Sequence, residues 1–235
     1  TKFKEHLKTI AKSTISKNID ELNFDDNKRE IRNALLLFNV MTIINNQKCS
    51  VRFPFNHYHK QRWDLEHIRS QTSKDISGKD KLIWANTALQ YFTGIEFYES
   101  NEKDILNNLE IISSEEKGFC VRLLAILKKQ DEDNAIFSGL YDELMDYFKE
   151  TDQLDDLDNL SNLTLLDETT NRMYKNAFFP VKRNFIIQQE KQGIFIPLCT
   201  KNVFLKAYSK KLGEVMYWNN NDANDYLTEI ENTLK

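Results

Sequence analysis

The chain has 235 residues, 40% of them hydrophobic, and a formal net charge of -4, which is enough apolar material to bury a core in one large domain or two small ones. Only 6 Gly and 3 Pro occur, so turn-rich β architectures are poorly served and a soluble, mostly helical protein is predicted. Cys49, Cys120 and Cys199 show no CxxC or Cys/His spacing, which argues against a zinc site and a disulfide framework and suits buried thiols in a reducing cytoplasm.

Phe3, Leu7, Ile10 and Ala11 follow helical spacing and predict a surface helix with His6 exposed, whereas Ile31 to Ile44 is apolar nearly all round and predicts a buried one. The longest apolar run, Ala34 to Met41, is interrupted by Asn39 and falls well short of the roughly 20 residues a membrane helix needs. Pro54 in Arg52-Phe-Pro-Phe55 forbids helix continuation. His57 and His59 alternate with Tyr58 and are read as surface or phosphate-facing, since two ligands without a third make a weak metal site. Trp63 to Ile68 reads as a short strand with Trp63, Leu65 and His67 on one face and Asp64, Glu66 and Ile68 on the other. A strand end or a bulge is then required for Glu66 and His67 to reach one site.

Residues 80 to 150 read as a helical block. Its stripes are Leu82 to Phe92, then Ile105, Leu109 and Ile112, then Phe119 to Leu127 behind a capping box at Ser113 and Glu116, then Tyr141 to Phe148. An acidic linker, Thr151 to Asp158, leads to a second short strand over Asn162 to Leu166. Thr169 or Thr170 is the expected N-cap of a helix from Asn171 to Phe179 that Pro180 stops. Three further helices are expected over Val181 to Gln192, Thr200 to Lys211 and Asp222 to Leu234. Thr1 in place of an initiator Met predicts that the chain is the C-terminal part of a longer protein.

Charge is unevenly spread. Asp131 to Glu168 holds thirteen acids against Lys149 alone, and Asn171 to Gly213 holds nine bases against Glu190 alone. Two solvated helix faces would explain this, and so would a nucleic-acid contact face beginning at Asn171.

Trp63-Asp-Leu-Glu-His-Ile68, Asn162-Leu-Thr-Leu-Leu166 and Asn171-Arg-Met-Tyr-Lys-Asn-Ala-Phe-Phe-Pro-Val-Lys-Arg183 together resemble the C-terminal HNH nuclease domain of GmrSD-type restriction and phage-defence proteins. Asn162 lies nine positions before Asn171, the separation found in HNH folds between the asparagine that opens the second strand and the ligand on the helix. Ser70 and Ser161 stand where the family often has Pro and Gly. The resemblance implies a single α+β, predominantly helical domain over 1–235. Its split ββα-metal (HNH) core would cover about 62–72 plus 159–183, with a helical insertion at 80–150 and flanking helices.

It also implies a cytoplasmic, divalent-metal-dependent DNA endonuclease of bacterial defence that leaves 5′ phosphate and 3′ hydroxyl ends, with a regulatory domain upstream. Mg²⁺, or Mn²⁺ in its place, would be held by the oxygens of Glu66 and Asn171, with Asp64 an alternative carboxylate. His67 would take the proton of the attacking water. Asn162 would bond the backbone near His67 and hold the imidazole in register. Lys175, Asn176, Lys182 and Arg183 are candidates for phosphate contacts, while Phe178, Phe179 and Phe185 read as core. A catalytically inactive interaction module and an RNA-cleaving enzyme are the alternatives.

Overall fold

The computed structural model describes residues 9, 13–15, 18–48, 50–70, 78–98, 101–129, 134–150, 154–174, 177–211 and 215–235. The expected first helix, His6, Cys49, Lys175 and Asn176 lie outside the described residues.

Asn23 opens the first long helix, α1 (Phe24–Asn45), by accepting the backbone N–H of Asp25, which satisfies one of the donors a helix leaves unpaired at its start. Its inner face buries Ile31, Ala34, Leu35 and Phe38, the i, i+3, i+4, i+7 set that the sequence pattern marks. Asn39, the interruption in that run, is 1% exposed yet fully used. Its Nδ2 donates to Leu35 O at 2.9 Å and its Oδ1 accepts from Cys199 N at 2.9 Å. The polar residue therefore ties α1 to the start of a distant helix, α9 (Leu198–Phe204).

A short helix, α2 (Phe55–Lys60), follows Pro54 and leads into β1 (Trp63–His67). β1 pairs antiparallel with β2 (Leu163–Asp167), in a register that sets Trp63 opposite Asp167, Glu66 opposite Thr164 and His67 opposite Leu163. Pairing is regular throughout, so every side chain keeps the face its position dictates.

Between the strands run α3 (Gly78–Thr93), α4 (Glu102–Asn108), α5 (Ser114–Lys129) and α6 (Asn134–Tyr147). The capping box predicted before α5 is present: Ser113 N donates to Glu116 Oε2 at 3.0 Å and Glu116 N to Ser113 Oγ at 3.2 Å. The aromatic stripes of this block meet the rest of the chain around Trp84, whose ring lies 5.2 Å from Phe137, 5.2 Å from Tyr141 and 5.5 Å from Phe178. Phe178 and Phe179 are 0% exposed, in agreement with their reading as core.

After β2 come α7 (Glu168–Tyr174), α8 (Phe179–Lys191), α9 and α10 (Asn220–Leu234). Three boundaries differ from expectation. The cap of α7 is Asp167, whose Oδ1 accepts from Thr170 N at 3.0 Å, because a carboxylate already placed by the last strand residue outcompetes the threonines behind it. Pro180 sits in the first turn of α8 instead of stopping a helix there, the one helical position where its missing N–H costs nothing. α9 ends at Phe204, earlier than expected, and Lys206 turns left-handed at φ 55. That turn lets Lys206 Nζ reach Asp222 Oδ2 at 2.8 Å, both side chains being buried. α10 packs on α1, and α7 packs on both strands. The described residues thus form a mostly helical α+β fold around a small two-stranded antiparallel sheet.

Candidate functional site

Asn162 is 0% exposed and lies at the end of a 3-10 turn, Leu160–Asn162, that feeds directly into β2. Its Oδ1 accepts from Arg69 N at 2.9 Å, and its Nδ2 donates to Arg69 O at 2.9 Å and to Leu157 O at 2.9 Å. Backbone pairing continues the contact, with Ile68 N donating to Asn162 O at 2.8 Å. One carboxamide therefore fixes the chain just past β1 and the loop just before β2. A carboxamide carries donor and acceptor side by side, which suits it to bond both backbone groups of a single residue.

His67 closes β1 and is half-buried. Its ring packs 4.7 Å from that of Phe24, and its Nε2 lies 3.1 Å from Asp158 Oδ1. Asp158 is held in turn by the chain around it, since Phe24 N donates to Asp158 O at 2.8 Å and Asp158 N to Asp156 Oδ1 at 2.9 Å. Burial pushes the imidazole below its ordinary value of 6.5, against the opposing pull of Asp158. The neutral ring donates from Nε2 to the carboxylate, leaving Nδ1 as the basic nitrogen.

Glu66 faces the other way. Its Oε1 lies 2.6 Å from Nζ of Lys182, which also donates to His67 O at 2.6 Å. Lys182 is 1% exposed. Its assignment as a phosphate contact is thereby corrected: the ammonium is enclosed between a carboxylate and a carbonyl and presents nothing to a ligand on the surface. The cause is position, because Lys182 lies on the first turn of α8 beside β1 and a buried carboxylate stays ionised only with a partner. Burial raises the Glu66 carboxyl and Lys182 opposes the rise.

A second buried pair stands beside the first. Arg69 Nε is 3.5 Å from Glu150 Oε2, an Arg69 guanidinium nitrogen also donates to Glu150 O, and Phe179 N donates to Glu150 Oε1 at 2.8 Å. Burial pushes the Glu150 carboxyl up to about 7. Ser70 adds a bond from its Oγ to Ala177 O at 2.7 Å. The segment that leaves β1 is thus fastened to the end of the insertion and to the approach of α8, with Ser70 doing by hydrogen bonding what a proline would do by stiffness.

Asn171 lies on α7 and is partly exposed. Asp64, half-exposed, points from the same strand face as Glu66 and sits 3.9 Å from Arg32. Arg183 is half-buried, and its Nε is enclosed with no hydrogen-bond partner among the described residues. Four of the nine bases after Asn171 are paired among the described residues: besides Lys182, Lys201 pairs with Glu190 at 2.8 Å, Lys206 with Asp222 and Lys210 with Asp225 at 3.1 Å. Their partners, Glu66, Glu190, Asp222 and Asp225, all lie outside the acidic segment 131–168.

Asp158, Glu150 and Arg69 are absent from the sequence-derived site. Asp158 was hidden among the acids of the linker, and nothing in their spacing singles out the one that folds against an imidazole 91 positions away. No family model matches the chain, and neither a curated protein nor a solved structure matches it.

Proposed function

We propose that the chain is a divalent-metal-dependent endonuclease of the HNH type, acting on DNA as an effector of restriction or anti-phage defence. The observation that supports this most is the Asn162 clasp on both backbone groups of Arg69, in a strand, strand, helix order that the helical insertion splits. The clasp fixes the chain just past His67 to the start of the second strand, as an imidazole held in register requires. The lowered basicity of His67 adds support, since a general base must be uncharged at working pH.

In this reading His67 accepts the proton of a water molecule through Nδ1, while Asp158 holds the ring through Nε2 and stabilises the imidazolium that results. The hydroxide adds to phosphorus, the bond to the 3′ oxygen breaks, that oxygen takes a proton from solvent water, and the products carry 5′ phosphate and 3′ hydroxyl ends. A hard divalent ion such as Mg²⁺ calls for oxygen donors, and Asp64, Glu66 and Asn171 supply carboxylate and carboxamide oxygens from β1 and α7. The ion would neutralise the charge that develops on the phosphate and the departing oxygen. Glu66 can serve only by giving up its buried partner Lys182, whereas Asp64 has only the looser, half-exposed pairing with Arg32 at 3.9 Å to exchange.

The test is cleavage of a supercoiled plasmid with Mg²⁺ or Mn²⁺, with and without EDTA, by the parent chain and by His67→Ala, Asn171→Ala, Asp64→Asn and Glu66→Gln. Cutting that EDTA abolishes and that His67→Ala and Asn171→Ala remove, with circular dichroism unchanged, supports the proposal. Equal cutting by those variants, or none by the parent, rejects it. Between the carboxylates, the variant with the larger loss identifies the one that holds the ion.

A further inference from the structure

Between Glu30 and Asp64 the chain contains no acidic residue, while Arg32, Lys48, Arg52, Lys60 and Arg62 fall in the same stretch. In a chain of net charge -4 such a gap is a local reversal of sign. Its last third, immediately before β1, is also the part that the fold leaves open. Arg52, His57, Lys60 and Arg62 are exposed. Arg52, Lys60 and Arg62 form no ion pair among the described residues, unlike Lys182, Lys201, Lys206 and Lys210.

The same segment carries an aromatic ring outside the core. Phe55 is 48% exposed and stands edge-on against buried Phe53 at 4.9 Å. Phe53 is braced in turn by Phe195 at 6.2 Å and Tyr58 at 5.9 Å. Tyr58 stacks on Trp63 at 5.2 Å with 18° between the planes, and Trp63 Nε1 donates to Tyr58 O at 2.8 Å. The exposed ring is therefore the outer member of an aromatic stack rooted in the first strand. A rigid ring displayed beside unpaired cations suits an unstacked base flanked by its phosphates.

We propose that the segment 51–62 is a binding track for single-stranded DNA, in which Arg52, Lys60 and Arg62 contact phosphates and Phe55 stacks against bases. The track leads directly into the strand that ends at His67. It deepens the nuclease reading, and rests on it, by naming the form of substrate that reaches the site.

Binding in EDTA separates the two claims, because it needs no cleavage. Fluorescence anisotropy of a labelled oligothymidylate of about 20 nucleotides, comparable to the longer site sizes of single-strand binders, is measured for the full chain against salt. The combined variant Arg52→Glu, Lys60→Glu, Arg62→Glu is expected to bind at least 10-fold more weakly, with a salt slope shallower by about 2, given roughly 0.7 per phosphate contact on single strands. Phe55→Ala is expected to lose roughly 5-fold or more, the lower end of base-aromatic stacking. A control with the same charge change at exposed positions elsewhere, Lys103→Glu, Lys117→Glu, Lys191→Glu, should bind nearly as the parent does. Parental affinity in the triple variant, an equal loss in the control, no effect of Phe55→Ala, or equal or tighter binding of duplex DNA or oligouridylate each overturns the track. Failure of the parent to cut both the plasmid and a circular single-stranded DNA with Mg²⁺ or Mn²⁺, while these binding results hold, would remove the nuclease and leave the track standing.

Discussion

Replacing Asn162 with alanine removes three hydrogen bonds of 2.9 Å from a side chain with no exposure. Each such bond contributes about 1 kcal/mol net, and each buried backbone group left without a partner costs about 1–3 kcal/mol. Arg69 N, Arg69 O and Leu157 O would all be stranded. Water entering the space vacated by the carboxamide recovers part of that, so the expected loss is about 3–5 kcal/mol. For a chain of this length that corresponds to a fall in Tm of roughly 6–20 °C. Urea denaturation followed by circular dichroism measures it directly, with an unchanged m-value showing that the native fold is the one being destabilised. Asn162→Asp should cost at least as much, because the acid keeps the bond from Arg69 N but sets an oxygen against two carbonyls. A loss below about 1 kcal/mol in Asn162→Ala would refute the clasp, for three unpaired buried groups cannot cost so little.

Lys182→Met should cost about 3–5 kcal/mol by leaving Glu66 buried without its cation, whereas Lys182→Met with Glu66→Leu should recover most of that; a double variant no better than the single one would mean that Lys182 acts through another contact. Because burial already raises the Glu66 carboxyl, the single variant should regain stability as pH falls and the acid protonates. His67 behaves in the opposite sense. Its folded pKa lies below 6.5, so the unfolded chain binds more protons between the two values, and this group's contribution to stability grows as pH rises through that window. Under the nuclease reading the acid limb of the rate profile has its inflection below 6.5, and Asp158→Asn moves it lower still by removing a group that favours the charged ring; an inflection at or above 6.5 in the parent contradicts the assigned environment. Ser113→Ala, which breaks the capping box of α5, should cost about 1 kcal/mol and leave plasmid cleavage untouched, and a marked loss of cleavage would tie that helix to the site.

Periodicity alone located α1, both strands and the insertion helices, because apolar spacing records which face of an element is buried, and that is a local property of the chain. The capping box before α5 was equally local. Asn162 was legible for a different reason: its spacing to Asn171 singled it out, and the structure shows its carboxamide bonded to both backbone groups of Arg69. Tertiary structure decided the partners. Whether Lys182 meets a phosphate or a carboxylate depends on which residue of another element lies within about 3 Å of its ammonium, and a helix start 115 positions from His67 leaves no trace of that in the order of residues. The same holds for Asp158, one acid among many until the loop before β2 folds against β1. Sequence therefore fixed which groups the chain possesses and which faces it hides, while their pairing, and with it their charge and basicity, was set by distances that exist only once the insertion has closed the two strands onto each other.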